Sequence, residues 1–301
     1  MKQVLMLSGK GGTGKTTVAT AFIRLAAARA YADCDVEAPN LHLMHSYDKK
    51  PRQRDFMGMP KAFIDANACC GCGTCRDNCR FDAIFCRDSV YEVDRKSCEG
   101  CGLCAALCPL KAIEMKPEKA GSLMLYQDAV RTFSTAGLRV GAGTSGKLVT
   151  AVKEQLRECA PDVPFSVIDG PPGIGCPVIA SMASVDAVLL VAEPTLSGRR
   201  DLERILAMAG IGGCRIFACV NRFDLDLEET AQVEQCCQQH GALCVGRIPY
   251  DPKVVDAINQ GLSIVDVECP AGDAVRSVFA NVIEQMDMAF PVKAASGDKK
   301  E

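Results

Sequence analysis

The sequence predicts an α/β fold with a mostly parallel sheet, interrupted by an inserted module of a different kind. Apolar runs of strand length recur along the chain, and helical patterns separate most of them. This alternation is typical of a parallel sheet with helices on both faces. From about Lys61 to Lys116 the alternation stops, and cysteines, glycines and short turns dominate. We therefore expect residues 1–60 and 118–301 to form one domain and residues 61–117 to form the insert.

Each regular element is predicted from its own local pattern. The strands are predicted where short apolar runs lie between turn residues, and they are Val4 to Leu7, Phe165 to Ile168, Ala187 to Ala192, Arg215 to Val220 and Ala242 to Ile248. The helices are predicted where apolar residues recur at helical spacing, and they are Lys15 to Ala30, Leu148 to Cys159, Asp201 to Ala209, Leu227 to His240, Pro252 to Gln260 and Ala274 to Met288. The last helix has the spacing of a packed helix rather than the basic face of a membrane anchor.

Composition excludes several classes of protein. The chain has 301 residues, of which 48% are hydrophobic, so it can bury a sizeable core. A net charge of -3 offers no electrostatic reason to bind nucleic acid. No apolar stretch approaches the roughly 20 residues of a membrane-spanning helix. The first residues read as a strand and not as a signal peptide, so we expect a cytoplasmic protein whose nineteen cysteines are reduced.

A glycine-rich loop follows the first predicted strand and precedes the first predicted helix. It comprises Gly9, Lys10, Gly11, Gly12, Thr13, Gly14, Lys15, Thr16 and Thr17, and it fits the pattern G-x-x-x-x-G-K-[ST]. Glycines let backbone N–H groups converge on phosphate oxygens, and the helix N-terminus adds a favourable dipole. Lys15 is predicted to neutralise the β- and γ-phosphates of ATP, and Thr16 to bind Mg²⁺.

A cysteine pattern occurs twice, 29 residues apart, and its runs are Cys69, Cys72, Cys75, Cys79 and Cys98, Cys101, Cys104, Cys108. This spacing is typical of ferredoxins with two 4Fe-4S clusters, in which three cysteines of one run share a cluster with the fourth of the other. The predicted ligand sets are Cys69, Cys72, Cys75, Cys108 for one cluster and Cys98, Cys101, Cys104, Cys79 for the other. Zinc is the competing interpretation, but zinc sites normally stop at four ligands.

Lys10 places a second lysine in the glycine loop, and three other stretches accompany it. They are Asp33 to Leu41, Phe165 to Gly173, and a third match made of Asn221 with Asp224 and of Pro249-Tyr250-Asp251. Together these stretches resemble the deviant Walker-A ATPases, the group that contains MinD, ParA and the nitrogenase iron protein. With the cysteine insert, the chain looks like the MinD-superfamily ATPases that contain an inserted ferredoxin domain. The resemblance covers essentially the whole chain and implies a P-loop NTPase fold.

The resemblance also implies roles for single residues. Lys10 would reach the phosphates of a facing subunit in an ATP-sandwich dimer, formed by two identical chains or with a similar ATPase; a solvated surface charge is the alternative. Asp35 would orient the attacking water or the metal, and Asp33 would support the nucleotide pocket. The remaining implied contacts are Asp169 to Mg²⁺, Gly173 to the γ-phosphate, and Asn221 and Asp251 to adenine.

Three functions fit these features. The preferred one is an ATPase that gates electron transfer through its clusters to a redox partner. The second is an iron-sulfur carrier of the Mrp type that hands clusters to an apo-protein, although the C-terminal C-x-x-C pair of that type is absent from the sequence. The third is a spatial-positioning ATPase of the MinD and ParA kind with redox sensing.

Two further features are interpreted conservatively. Residues 141–148 mimic a second phosphate loop, but Leu148 stands where Mg²⁺ needs a hydroxyl and no convincing apolar strand precedes the loop. We expect a loop that leads into a helix, with Lys147 facing the dimer or the insert. Cys176 follows Asp169 by seven residues, as a cluster-binding cysteine does in the nitrogenase iron protein. Because free cysteines are usually buried hydrophobes, we expect Cys176 to be one.

Overall fold

The structure is a computed structural model, and it describes residues 1–44, 47, 50–88, 90–209 and 213–288. In chain order its strands are β1 (Lys2–Ser8), β2 (Ala30–Asp33), β3 (Arg52–Met57), β4 (Lys61–Ile64), β5 (Ile84–Arg87), β6 (Val90–Val93), β7 (Ile113–Lys116), β8 (Lys119–Gln127), β9 (Thr132–Leu138), β10 (Phe165–Pro172), β11 (Ala187–Ala192), β12 (Arg215–Asn221) and β13 (Leu243–Ile248). The helices are α1 (Lys15–Leu25), α2 (Thr74–Asp77), α3 (Leu103–Leu107), α4 (Ser145–Cys159), α5 (Cys176–Met182), α6 (Leu196–Ala209), α7 (Leu227–Gln239), α8 (Lys253–Asn259) and α9 (Pro270–Gln285).

A nine-stranded sheet organises the chain in the order β13-β12-β11-β1-β10-β2-β9-β8-β3. The strands from β13 to β9 run parallel, whereas β8 and β3 pair antiparallel at one edge. Every residue of β1 from Val4 to Leu7 is fully buried, because helices cover both faces of the sheet and make two apolar cores. The fold prediction of a mostly parallel α/β sheet is confirmed.

The parallel arrangement brings the carboxyl ends of β1, β2, β10, β11 and β12 to one edge of the sheet. Polar residues at those ends therefore lie close together although they are far apart in sequence. Ser8, Asp33, Asp169 and Asn221 all lie at this edge. The candidate nucleotide site is built there.

The predicted boundaries differ from the structure mainly between the first helix and the second strand. The predicted helix Lys15 to Ala30 was too long, since α1 ends at Leu25 and Ala30 begins β2. The chain turns at Ala27, which adopts a left-handed conformation with φ 46° and cannot continue a helix. The helix predicted from Ala274 begins earlier, at Pro270, where a proline fits the first turn because its missing N–H is not needed there.

The described residues of the range 61–116 contribute no strand to the nine-stranded sheet. They form two antiparallel pairs, β4 with β7 and β5 with β6. Helix α2 lies between β4 and β5, and α3 lies between β6 and β7, so the element order repeats as the cysteine pattern does. A separate apolar cluster fills this part of the chain, and it includes Ala62, Ile64, Ala83, Ile84, Tyr91 and Ile113.

Candidate functional site

Lys15 and Thr16 meet one buried carboxylate at the start of α1. The Lys15 amine lies 2.6 Å from Oδ1 of Asp169, and the Thr16 hydroxyl donates to Oδ2 of Asp169 at 2.6 Å. Asp169 is fully buried in β10. Burial alone would lower the pKa of Lys15, but Asp169, with smaller contributions from Asp35 and Asp33, raises it above its ordinary value. The amine is therefore held as a cation beneath the glycine loop.

Asp33, at the end of β2, closes the loop that follows it. Its Oδ1 accepts a hydrogen bond from the Asp35 N–H at 3.0 Å, and its Oδ2 accepts from the N–H groups of Asn40 and Leu41, each at 3.0 Å. Burial and the nearby charge of Asp169 raise the pKa of Asp33 to about 7. Asp33 thus holds the backbone of the loop that carries Asp35.

Asp35 is more accessible and faces the same region. Its side chain is only partly buried, and that burial raises its pKa although Lys15 acts in the opposite direction. The preceding residue ties the loop to the Mg²⁺-binding candidate, since the Cys34 N–H donates to the Asp169 carbonyl at 2.7 Å. The loops of β2 and β10 are therefore in direct contact at their ends.

Lys10 is paired within its own chain. Its amine lies 3.1 Å from Oε2 of Glu193 and 3.3 Å from the Thr195 hydroxyl, and about a third of the side chain is exposed. Glu193 also accepts from Arg222 at 2.5 Å. Sequence reasoning missed Glu193 and Arg222, and the signal that would have found them is their position directly after β11 and β12. The role of Lys10 toward a facing subunit stays a prediction.

The residues predicted to hold adenine have different surroundings. The Asn221 amide donates to the Thr13 carbonyl at 2.7 Å, so it lies against the glycine loop. Asp251 accepts from the Lys253 N–H at 3.0 Å and the Ala271 N–H at 3.4 Å, so its carboxylate is engaged at the starts of α8 and α9. Hydrogen bonds to these N–H groups lower the pKa of Asp251 against the effect of its burial.

Gly173 links the second loop of the site to β1. Its N–H donates to the Ser8 carbonyl at 3.0 Å, and its φ of 89° is a left-handed conformation that glycine adopts without strain. Lys15, Asp35, Asp169 and Gly173 thus surround the region that follows β1. Their roles toward a nucleotide stay predictions.

The eight repeated cysteines lie around two cavities. One cavity is lined by Cys69, Cys72, Cys75 and Cys108, together with residues that include Cys70, Tyr91 and Leu110. The other is lined by Cys79, Cys98, Cys101 and Cys104, together with residues that include Phe81, Ile84 and Leu103. Each cavity thus combines three cysteines of one run with the fourth of the other.

The thiols that line the cavities differ in their surroundings. Within the described ranges, no three His, Cys, Asp or Glu side chains converge as a single metal ion requires. Two thiols already accept or share hydrogen bonds: the Ala112 N–H donates to Cys108 Sγ at 3.3 Å, and Cys72 Sγ lies 3.4 Å from the Thr74 hydroxyl. The hydrogen bond with Thr74 lowers the pKa of Cys72, whereas burial raises the pKa of Cys75 and of Cys104.

Two expectations outside the site have different outcomes. Cys176 is exposed at the first position of α5, so the expectation of a buried cysteine was wrong. Its thiol is left outside because α5 packs through Val178 and Ser181, which lie on another side of the helix. Helix α9 does pack into the core, as predicted, through Val275, Val278, Phe279 and Val282. Across the part of the chain that the structure describes, no helix has the length and apolar character needed to cross a membrane.

Sequence comparison connects the chain to known proteins. A family described as the CobQ/CobB/MinD/ParA nucleotide binding domain matches residues 4–264. The uncharacterized protein MJ0578 of Methanocaldococcus jannaschii is 35% identical over 208 residues, which are 68% of this chain and 72% of that protein. An iron-sulfur cluster carrier protein of Pyrococcus abyssi is 23% identical over 319 aligned residues, covering 99% of this chain and 89% of that protein.

Structural comparison gives the same kind of fold. The septum site-determining protein MinD of Pyrococcus horikoshii OT3, solved as a complex with Mg-ADP, superimposes with a TM-score of 0.56. The match covers 95% of this chain and 97% of that protein, with 17% sequence identity. At this identity the likeness concerns the fold alone.

Proposed function

Since the chain belongs to the CobQ/CobB/MinD/ParA family of nucleotide-binding domains, we propose that it hydrolyses ATP to gate electron transfer through two 4Fe-4S clusters to a partner protein. Family membership and the α/β fold support the ATPase half. The observation that carries the whole proposal is the presence, in one chain, of the Lys15–Asp169 site and two cavities with four cysteines each.

In the nucleotide half, Lys15 would exchange its contact with Asp169 for the β- and γ-phosphates of ATP. Thr16 and Asp169 offer a hydroxyl and a carboxylate oxygen 2.6 Å apart, which are the oxygen donors that Mg²⁺ prefers. Bound there, Mg²⁺ would supply neutralisation of phosphate charge. Asp35 would orient the attacking water, and Lys10 would leave Glu193 for the phosphates across a dimer interface.

In the redox half, residues 61–117 would form an inserted ferredoxin-like module between residues 1–60 and 118–301. The two small sheets and their own apolar cluster support this division. Cys69, Cys72, Cys75 and Cys108 would hold one cluster, and Cys98, Cys101, Cys104 and Cys79 the other. Once held, the clusters would supply one-electron chemistry. The number of cysteines favours this assignment over zinc, because zinc sites normally stop at four ligands whereas two repeated runs of four suit two 4Fe-4S clusters.

Hydrogen bonds to cysteine sulfur are one of the means by which a protein adjusts a cluster's reduction potential. The bond from the Ala112 N–H to Cys108 Sγ has this form. Ala112 follows the second run, so its amide acts on the set that contains Cys69. The contact between Cys72 Sγ and the Thr74 hydroxyl belongs to the same set.

A second candidate is an iron-sulfur cluster carrier. It is favoured by the relative from Pyrococcus abyssi, which carries that name and aligns over almost the whole chain. The two candidates differ in the fate of the iron: an electron carrier keeps it, and a cluster carrier transfers it to an apo-protein.

The test is anaerobic purification followed by iron analysis and incubation with an apo-ferredoxin. We expect about eight irons per chain, retained by the protein and accompanied by a potential that changes with ATP. Cys72→Ala should lose about four irons or more and still bind ATP, whereas Cys86→Ala, an exposed cysteine outside both cavities, should keep all of them. Iron-free protein would overturn the proposal, and transfer to the acceptor would favour the carrier.

A further inference from the structure

Residues 138–148 comprise the last residue of β9, the loop that follows it and the first residues of α4, and we call this segment the connector. It includes the glycine-rich stretch that mimics a phosphate loop. We propose that the connector transmits the nucleotide state to the second cysteine run, and that Glu99 receives it. The proposal rests on the proposed function, and it names the route by which ATP would act on one cluster more than on the other.

The connector touches the loops that follow β2 and β10. The Leu138 N–H donates to the Val36 carbonyl at 2.8 Å, and Val36 directly follows Asp35. A Cβ placed on Gly146 would lie 3.3 Å from both Cβ and the carbonyl oxygen of Cys176, so the two backbones are in close contact. Cys176 begins the short helix α5, which follows Asp169 and Gly173 in the chain. Movement of either loop therefore acts on the connector.

Helix α4 strengthens this contact on its next turns. The Lys153 amine donates to the Ser181 carbonyl at 2.6 Å, and it also donates to the Ala183 carbonyl at the end of α5. Burial lowers the pKa of Lys153, while the charge of nearby Cys34 acts in the opposite direction. Helices α4 and α5 are thus joined at both ends of α5, which favours their movement as a unit.

The other side of the connector touches Glu99 of the insert and the residues that directly precede the insert. A Cβ placed on Gly143 would lie 3.1 Å from Oε2 of Glu99, and the Lys147 amine lies 3.2 Å from Met59 Sδ. The hydroxyl oxygen of Thr144 is buried without a hydrogen-bond partner in the described residues, and it faces Gly58. Glu99 lies between Cys98 and Cys101 in sequence, so the contact reaches the second run directly.

The second run also contacts Pro60 and Lys61, where the insert begins. The Lys61 amine donates to the Cys98 carbonyl, and the backbone at Gly100 approaches the Pro60 carbonyl so closely that a Cβ there would lie 2.3 Å away. The hydrogen bonds described for the first run, by contrast, reach neither residues 58–60 nor the connector, since they join neighbouring residues, as those of Cys72 and Asn78 with Thr74 do. The two runs therefore differ in their access to the ATPase domain.

The carboxylate of Glu99 provides an electrostatic means by which the connector acts on the second cluster. Glu99 lies near the N-terminus of α4, where unpaired N–H groups carry partial positive charge. If ATP moves the connector, the carboxylate changes its distance from this end and from the cysteines on either side of it. A carboxylate that approaches a cluster disfavours its reduction, and one that retreats favours it.

Thermodynamic linkage makes the coupling between ATP binding and cluster reduction reciprocal. If ATP alters the ease of reducing the second cluster, reduction must alter ATP affinity by the same factor. A coupling of ordinary size changes the ATP dissociation constant on the order of five-fold or more between oxidised and reduced protein. We expect Glu99→Gln to bring this ratio to within about two-fold.

The decisive experiment is hydrogen exchange on the full chain with and without MgATP, because its readout needs neither turnover nor iron. The variants are Glu99→Gln and Gly143→Ala, and the control is Gly137→Ala, whose added Cβ meets nothing within 4 Å. Neither Gly137 nor Gly143 has a positive φ, so each tolerates alanine in its backbone. The Cβ of Gly143→Ala displaces only the end of a flexible side chain.

In the wild type and in Gly137→Ala, we expect MgATP to change the exchange of amides 97–104 by several-fold. We expect both other variants to lose most of that change while ATP affinity stays within about two-fold. A response that is absent from the wild type, or equal in all four proteins, would overturn the inference. A protein that lacks iron but shows the expected exchange pattern would refute the proposed function and leave the route intact.

Discussion

Two glycine-rich loops of this chain share a pattern of residues and a place between a strand and a helix, but different side chains surround them. In the loop Gly9–Thr17, Lys15 and Thr16 both meet Asp169. In the connector, the corresponding lysine is Lys147, which is exposed and lies against Met59, and the next residue is Leu148, which is fully buried in the core. The same pattern is thus completed by a carboxylate in one loop and by apolar contacts in the other.

A phosphate site depends on the side chains that neighbouring strands place beside its glycine loop. β2 and β10 deliver Asp33, Asp35 and Asp169 to the first loop, because they lie next to each other and β10 pairs with β1. The connector lies farther along the sheet, beyond β9, and the carboxylate near it is Glu99. A carboxylate close to the helix N-terminus already occupies the place where a phosphate would find positive potential.

The largest expected difference between the loops concerns their lysines. Lys15→Ala should weaken ATP binding on the order of 10- to 100-fold, since a hydrogen bond to a charged group contributes about 1.5–3 kcal/mol. It also leaves Asp169 buried without its partner, which should lower the free energy of unfolding by about 3–5 kcal/mol in the absence of Mg²⁺. Calorimetric ATP titration and denaturant unfolding measure the two effects.

Lys147→Ala is the matched control for this prediction. Its side chain is exposed, so we expect ATP affinity within about two-fold of the wild type and a change in stability of at most about 0.5 kcal/mol. Equal loss of ATP affinity in the two variants would show that both loops bind phosphate, and the comparison would fail.

The second loop shows how much of the fold could be predicted from the sequence. A loop that leads into a helix was predicted, and α4 indeed begins at Ser145. No strand of convincing apolar character was expected before it, and β9, which spans Thr132–Leu138, precedes it without such a character. This strand contains Thr, Ser and Gly, and its burial comes from β2, β8 and α4 rather than from its own apolar character. Neighbouring strands and helices override weak local propensity.

In the candidate site, too, some residues could be predicted from the sequence and others could not. Lys15, Thr16 and Asp169 could be predicted because each follows or ends a strongly apolar strand in a recognisable motif. Glu193 and Arg222 were missed although each directly follows a strand, because their pairing joins residues far apart in sequence. Glu99 depends in the same way on a contact with Gly143. The short strand β2 was not predicted, and its first residue, Ala30, was included in a helix, because alanine favours helix and the burial of β2 between β10 and β9 cannot be seen in the local sequence.

A smaller effect on stability is expected at Leu148, the residue at which the connector departs from the pattern G-x-x-x-x-G-K-[ST]. Leu148→Thr gives the connector the hydroxyl that the motif requires, yet we expect no second nucleotide to bind. The change removes buried apolar volume and buries a hydroxyl, so the free energy of unfolding should fall by about 2–5 kcal/mol. Leu196→Thr, at an exposed helix start, should change it by at most about 0.5 kcal/mol. An ATP stoichiometry that doubles in Leu148→Thr would break the comparison.

The smallest effect separates the glycines of the two loops. Gly14 and Gly141 have similar left-handed conformations, with φ 88° and 80°, so alanine at either position should cost about 1–2 kcal/mol in backbone strain. A Cβ on Gly14 would also lie 2.4 Å from the Asn221 amide nitrogen, whereas one on Gly141 meets nothing within 4 Å. Gly14→Ala should therefore lose the Asn221–Thr13 hydrogen bond, a further cost of about 0.5–1.5 kcal/mol, and weaken ATP binding. Gly141→Ala should show only the cost of backbone strain. Unfolding and ATP titrations on Gly14→Ala and Gly141→Ala therefore measure what Asn221 contributes. Equal stability and equal ATP affinity in the two variants would mean that Asn221 contributes nothing.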